Sequence, residues 1–406
     1  MKEVLHIAPI LKAHAGHISF HTPGHKKTKD DLTELSYTDN LSSPTGAIAR
    51  AEEDIARILG ADKSFILTDG STSGVLSMLY AAKCAGVRSV ALSPYSHRSI
   101  KNGCLLLGIV PVFFSVDCVR GIPMQPSEAE LKRGFCEADA VLLTSPDYYG
   151  YLPSLKAARA LADGAKKPLL IDGAHGSHLH FTEEYAGRYA DLWVDGVHKS
   201  LPALTQGAVV SAKGKYVDFL REGVGIFRTT SPSYPIMASV EYAVKYPRKL
   251  GIERAAENLK RELHALENDD WTKIVLPYGA NAARAQQYLE ENGLFPEFND
   301  GNYIMFYLSP CTKLSDLKTL VRLARGVAYG EIVSGDGVCC GHGEEIEEVP
   351  LQTAAGRICA REFGLFPPCI PLVVAGEKIT ESAIGRLRGN NGTFGIESGN
   401  VLVYKE

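Results

Sequence analysis

Between residue 63 and about residue 210, short apolar runs of strand length alternate with helical segments, and this alternation constrains the fold more than any other feature of the chain. Residues 64–68, 89–93, 110–116, 140–144 and 168–172 read as strands, and 191–196 and 207–212 complete the set. Helices fall between them at 74–86, 100–107 and 155–163. The pattern predicts an α/β domain with a mainly parallel sheet covered on both faces. Ligands of such sheets bind beyond the carboxyl ends of the strands, and the polar signals of this chain sit at those ends.

The first signal is DGSTSG at 69–74, which offers Ser71, Thr72 and Ser73 at a helix N-terminus, an arrangement suited to phosphate. A simple Ser/Thr cap explains the same loop. It carries neither the Gly-Lys-Ser/Thr of a mononucleotide loop nor the GxGxxG dinucleotide fingerprint. His97 follows a strand and could stack on a ring or donate a proton; an exposed loop histidine is the plain alternative. Asp172 closes a buried apolar strand and needs a partner, which a protonated pyridine nitrogen would supply. Ala174 is small enough to leave room for a flat ring. Lys199, directly after His198, lies between segments rich in apolar and small residues, where desolvation favours the neutral amine that condenses with a carbonyl. These groups offer a partner for each end of a pyridoxal phosphate molecule. His175, His178 and His180 look like a metal cluster, but their spacings and the lack of an acidic or cysteine third ligand argue against zinc. Cys339–Cys340 with His342 reads as a loop, so no metal is expected.

A chain of 406 residues exceeds one compact core, so two or more domains are expected. Residues 1–45 read as an arm with two Pro/Gly loops, packing on a neighbouring body or subunit. Residues 46–268 form the large domain, opening on a helix at 51–59 closed by Gly60 and ending in a bridging helix at 251–268. Residues 269–406 form a smaller α+β domain, with helices at 282–292, 315–326 and 351–364 and a closing strand at 400–406. A net charge of -4 gives no reason to expect nucleic acid or an anionic membrane as partner, and no apolar run reaches spanning length. No signal peptide is apparent, and nine irregularly spaced cysteines fit a reduced, cytoplasmic setting.

The segments also follow the order of a known family. The chain resembles the fold-type-I, pyridoxal-phosphate-dependent Orn/Lys/Arg decarboxylases over nearly its whole length. SFHTPGHKK, NLSSPTGAIARAEEDIARILGAD, DGSTSG, SHRSIKNG, SPDYYGYLPSL, IDGAHGSHLHF, VHKSLPALTQGA, TTSPSYPIMASVEYA and FPPCIPLVVAGEKI carry the likeness. The resemblance implies that Lys199 bonds to the cofactor aldehyde, that Asp172 pairs with the ring nitrogen and that His97 stacks on the ring, within a pocket that includes Ala174 and His175. Ser71, Thr72, Ser73 and His198 would hold the phosphate, with Thr230 and Ser231 completing that pocket from a second subunit of a homodimer. The implied reaction converts lysine, ornithine or arginine to an amine of the polyamine class plus CO2. The chain departs from the family pattern at Gly196, where a serine is usual, at Val75 for asparagine, at Asp39–Asn40 for an acidic pair and at Cys369 for glycine. The rival readings are an aminotransferase or lyase on the same cofactor, a catalytically idle subunit, and a metal-binding protein. The first would clamp a substrate carboxylate with Arg386 or Arg388, which read more simply as residues of a solvated turn.

Overall fold

The computed structural model describes residues 4–29, 31–332, 345–366, 370–387 and 392–405. Two short helical elements lead in: α1 (Ala8–Ala13), then α2 (Ala47–Leu59), which ends where Gly60 adopts φ 71°. Only glycine enters that left-handed region freely, so the chain turns there into the sheet. The strands and helices that follow are β1 (Lys63–Leu67), α3 (Ser71–Cys84), β2 (Ser89–Leu92), α4 (Arg98–Leu107) and β3 (Val110–Phe113). A two-residue hairpin, β4 (Cys118–Val119) with β5 (Ile122–Pro123), precedes α5 (Glu128–Glu137). Then come β6 (Ala140–Thr144), α6 (Leu155–Ala165), β7 (Leu169–Gly173), β8 (Leu192–Asp195), the single turn α7 (Val197–Ser200) and β9 (Ala208–Ala212).

The seven long strands form one sheet in the order β1-β9-β8-β7-β6-β2-β3. Within it β9 runs antiparallel to both neighbours, while β8, β7, β6, β2 and β3 pair in parallel. Successive strand residues go to opposite faces. Val141, Leu143, Leu169, Ile171 and Trp193 join one core, and Ala140, Leu142, Leu170, Leu192 and Val194 join the other. The first core is closed by α2, α5, α6 and α9 (Tyr234–Val244), the second by α3, α4 and α8 (Tyr216–Phe227). Both faces are therefore covered, as the uninterrupted apolar strands required.

Helix α10 (Leu250–Glu262) packs Ala256 and Leu259 into a further core with β10 (Lys273–Leu276), α11 (Ala282–Glu291), β12 (Ile304–Tyr307) and α12 (Leu314–Ala324). There β12 pairs antiparallel with β10 and with β11 (Phe298–Asn299). The bridging helix ends earlier than its polar sequence predicts, because His264 takes φ 46° and stops it. The last core gathers β14 (Phe363–Leu365), α13 (Glu381–Leu387) and β17 (Asn400–Tyr404). There β15 (Ile370–Val373) and β16 (Thr393–Phe394) flank β14, and β17 pairs with β13 (Ile346–Pro350). The helix expected at 351–364 is not formed. One 3₁₀ turn, Leu351–Thr353, is followed by Gly356 at φ 89°. Cys359 and Ala360 then donate their N–H groups to Glu377 and Leu402, so cross-strand pairing replaces the helical bonds.

The arm is anchored by Asp39. Its carboxylate accepts from the backbone N–H groups of Thr45, Gly46 and Ile48 at 3.0, 2.9 and 2.8 Å, which caps α2 from a distance in sequence. Ile7, Leu32 and Leu41 sink into the large core, whereas Ile18 and Phe20 stand 90% and 96% exposed.

Candidate active site

The carboxyl ends of β1, β2, β6, β7 and β8 converge on one cleft, the kind of concave place where small molecules bind. Each end contributes a side chain: Ser71 after β1, His97 after β2, Asp147 after β6, Asp172 in β7 and Lys199 after β8. Phe114, Leu142, Leu143 and Met124 supply apolar walls. Val75 also lines the cleft, so the position where the family usually has asparagine contributes apolar contact here.

Lys199 projects from α7 and its Nζ lies 3.1 Å from His175 Nε2. Burial pushes the lysine below its ordinary pKa, Asp172 pulls it back up, and Lys273 adds to the lowering. Asp172 is 3% exposed, and its Oδ1 accepts from the Ala174 N–H at 3.1 Å. His97 is the N-cap of α4: Nδ1 accepts from the Ser99 N–H at 3.2 Å, which leaves Nε2 as the nitrogen carrying hydrogen when the ring is neutral. Burial lowers its pKa against the pull of Asp172, so the neutral ring is favoured. His175 is held well below the usual histidine range by burial, with Lys199 and Lys273 adding to it. Its ring stacks on Tyr307 at 5.7 Å and meets the edge of Tyr148 at 5.1 Å.

The phosphate-loop candidates separate. Ser71 opens α3 and lines the cleft, and Thr72 beside it is exposed. Ser73 instead donates its hydroxyl to Asp69 Oδ1 at 2.7 Å and to the Gly70 carbonyl, a local tie that braces the turn. Gly70 sits at φ 90°, which favours glycine. His198 directs Nδ1 at the Gly207 carbonyl, 2.9 Å away. Thr230 and Ser231 are exposed and outside the cleft, although Asp69 accepts from the neighbouring Thr229 N–H and fixes that segment beside the start of α3.

The histidines after Asp172 diverge. His178 Nε2 meets Asp270 Oδ1 at 2.9 Å and His180 Nδ1 meets the Ser177 carbonyl at 2.7 Å. Among the described residues no three such side chains are grouped to hold a metal. Cys339, Cys340, His342, Cys369 and Arg388 lie outside the described residues.

At Gly196 a Cβ would collide with the Ala174 carbonyl, so the close approach of this turn to Ala174 requires glycine. One sequence expectation about the site is corrected. Arg386 is not part of a solvated turn: it lies in α13, largely buried, and its Nη2 pairs with Asp300 Oδ2 at 2.7 Å. The sequence reading also passed over Tyr307, which reaches His175 from β12, and Gln125, which donates to the Tyr151 carbonyl at 3.0 Å and roofs the cleft. Both come from segments without a motif.

The cleft suits pyridoxal phosphate by its donor set: an amine and a carboxylate in one apolar-walled space, with a hydroxyl at a helix N-terminus. Thr144 Oγ1 and His175 Nδ1 border it, buried and without a hydrogen-bond partner among the described residues. A polar ring ligand would meet them.

Comparison with known proteins identifies the family. The Orn/Lys/Arg decarboxylase major domain matches residues 9–274, and the C-terminal domain of that family matches residues 340–388. An arginine decarboxylase of Bacillus subtilis is 27% identical over 456 residues, covering 94% of this chain and 92% of the relative. The solved constitutive lysine decarboxylase of E. coli superposes with a TM-score of 0.75 at 18% identity, over 99% of this chain and 82% of that one. A serine palmitoyltransferase from S. paucimobilis, solved with bound PLP-myriocin, shares the fold with a TM-score of 0.53 at 16% identity, over 68% and 75% of the two chains. The chain belongs to the Orn/Lys/Arg decarboxylase family.

Proposed function

We propose that this chain uses pyridoxal phosphate to decarboxylate a basic amino acid, releasing CO2 and the corresponding amine. The observation that carries the reading is Lys199, an amine whose pKa burial lowers, in one cleft with Asp172 and His97. The arginine and lysine decarboxylases among its relatives support the substrate class.

Bound pyridoxal phosphate supplies an aldehyde that takes up amines and an electron-withdrawing ring. Lys199 would hold the aldehyde end and yield it to the substrate amine. Asp172 would balance the charge of a protonated ring nitrogen, in a setting where its own burial makes the pairing strong. His97 would cover the ring, and Ala174 would leave room for it on the other side. Ser71 and Thr72 at the start of α3, with Ser73 through its backbone and His198 near Gly207, would receive the phosphate. His175 would keep Lys199 in place. Lys199 Nζ and His97 Nε2 are the two groups suited to return a proton to the α-carbon.

The exposed apolar pair Ile18 and Phe20 on the arm supports a homodimer, in which Thr230 and Ser231 would serve the neighbouring subunit's phosphate. The absence of disulfide-like cysteine spacing supports a cytoplasmic enzyme supplying amines for polyamine synthesis. No helix among the described residues is long and apolar enough to cross a membrane.

The test is direct. Purified full chain loaded with pyridoxal phosphate, reduced with borohydride and peptide-mapped, should carry its label on Lys199. The same preparation offered lysine, ornithine and arginine should release amine and CO2 in equal amounts. A label elsewhere, or a keto acid in place of CO2, would overturn the reading.

A further inference from the structure

A charged unit lies behind His175 that the chemistry above does not use. Lys273, the first residue of β10, pairs through Nζ with Asp270 Oδ2 at 2.7 Å, and both side chains are 0% exposed. Asp270 is fully engaged: its Oδ1 accepts from the Thr272 N–H, the Thr272 hydroxyl and His178 Nε2 at 2.9, 2.8 and 2.9 Å. A buried ion pair is a costly way to stabilise a fold, since packed apolar residues do as well or better. This one has a particular neighbour. Lys273 and Tyr307 are direct partners across the β10–β12 ladder, and the lysine Nζ stands 4.8 Å from the centre of the tyrosine ring. The same ring stacks on His175, and its hydroxyl donates to the His175 carbonyl at 3.2 Å. His175 Nε2 in turn sits 3.1 Å from Lys199 Nζ.

We propose that Lys273 is a positioning residue for Lys199: its fixed charge seats Tyr307, Tyr307 holds His175 against the amine, and a second ammonium is thereby disfavoured in the cleft. This deepens the reading of Lys199 as the amine that engages the cofactor, and rests on it.

The groups that act on Lys199 come from several elements. Asp172 from β7 favours its charged form, as does the more distant Glu297 ahead of β11. His97 from α4 and His175 from the loop after β7 border the same cleft, as do Asp147 and Tyr148 after β6. Lys273, on the β10–β12 ladder, is a cation whose charge reaches both Lys199 and His175 and lowers each, while Asp270 raises His175. Asp270, although paired with it, is occupied by three donors on the side of His178 and Thr272. The pair therefore acts on the amine chiefly through its positive end.

The test reads the amine without turnover. Cofactor-free full chain is treated with formaldehyde and cyanoborohydride across a pH series, and methylation of Lys199 is followed by mass spectrometry. In Lys273→Met the midpoint should move to higher pH by about one unit, so that Lys199 reacts about tenfold more slowly below it. Lys273→Arg keeps the charge and should restore most of the shift. If Lys273→Met fails to fold because Asp270 is left unpaired, Asp270→Asn combined with Lys273→Met removes the whole pair and should move the midpoint in the same direction. A folded variant with an unmoved midpoint overturns the proposal, even if its melting temperature falls. Borohydride labelling of wild-type Lys199 by pyridoxal phosphate separates the two ideas. No label sinks the cofactor reading itself, whereas a label with an unmoved midpoint sinks only the role of Lys273.

Discussion

Arg386 Nη2 and Asp300 Oδ2 form a 2.7 Å ion pair in which the carboxylate is 3% and the guanidinium 11% exposed. Arg386 Nε also donates to the Asp300 carbonyl, and Tyr149, which lines the cleft, donates its hydroxyl to Asp300 Oδ2 at 2.6 Å. The arginine thus ties α13 to the β11–β12 connection and to the cleft wall, which is a different task from clamping a substrate carboxylate. Arg386→Gln should strand a buried carboxylate and cost about 3–5 kcal/mol. A urea melt would show that loss, and product analysis should still find CO2 and no keto acid.

Asp172→Asn keeps the side-chain shape and removes the charge. Turnover should fall at least about 100-fold, while the cofactor, still held at its aldehyde and phosphate ends, stays bound. Comparing amine release with the cofactor absorbance of the same samples checks this. Unchanged turnover would remove Asp172 from its assigned place.

Gly196→Ala should force the Ala174 carbonyl aside. Overpacking of this kind costs about 1–3 kcal/mol, and the moved backbone carries Ala174 and His175 with it. Weaker cofactor binding together with a lower melting temperature is the expected pair of readouts. Gly196→Ser, which restores the residue usual in the family, should behave the same way in this backbone.

Asp195 sets a pH dependence of known sign. Burial pushes its carboxyl up to about 7, although the hydroxyl of Tyr185 at 2.6 Å and the Trp193 indole at 3.0 Å both favour the charged form. The folded state therefore binds a proton that the unfolded chain releases near 4. Stability from this group is complete below about 4 and is lost as pH rises towards 7. Asp195→Asn should flatten that decline, measured as melting temperature against pH between 4 and 8.

Asp39 has the opposite sign. Burial raises it, but the N–H groups of Thr45, Asn40, Ile48 and Gly46 outweigh that and hold the carboxyl below its ordinary 3.8. Its contribution is present above that value and fades as pH falls through the lower, folded one. Asp39→Ala should cost about 1–2 kcal/mol at neutral pH, as loss of a helix cap does, and loosen the arm to proteases.

The strand ends were legible because a buried parallel sheet leaves only its carboxyl rim for polar groups, so Asp172, His97 and Lys199 stood out by position. The cap of α5 was legible too: Ser127 accepts from the Glu130 N–H in a Ser-x-x-Glu pattern, a signal the reading passed over. A charge in a Gly-flanked segment such as that of Arg386 resembles surface, and its burial rests on partners distant in sequence, Asp300 and Gly121. Residues 351–364 have a helix-like composition, and partners far away in sequence took their backbone bonds instead. Tyr307 and Lys273 had no local signature at all. Their importance comes from a ladder register, and register is a property of two strands rather than of either sequence.

The stacking of Tyr307 on His175 means that the amine-bearing rim and the second sheet are not separable modules. A fragment severed after the bridging helix would retain every side chain assigned to the cofactor, yet its imidazole beside Lys199 would face bulk water. Such a truncation would be an open socket rather than a smaller enzyme, and insertions that retune this protein belong elsewhere than at that seam.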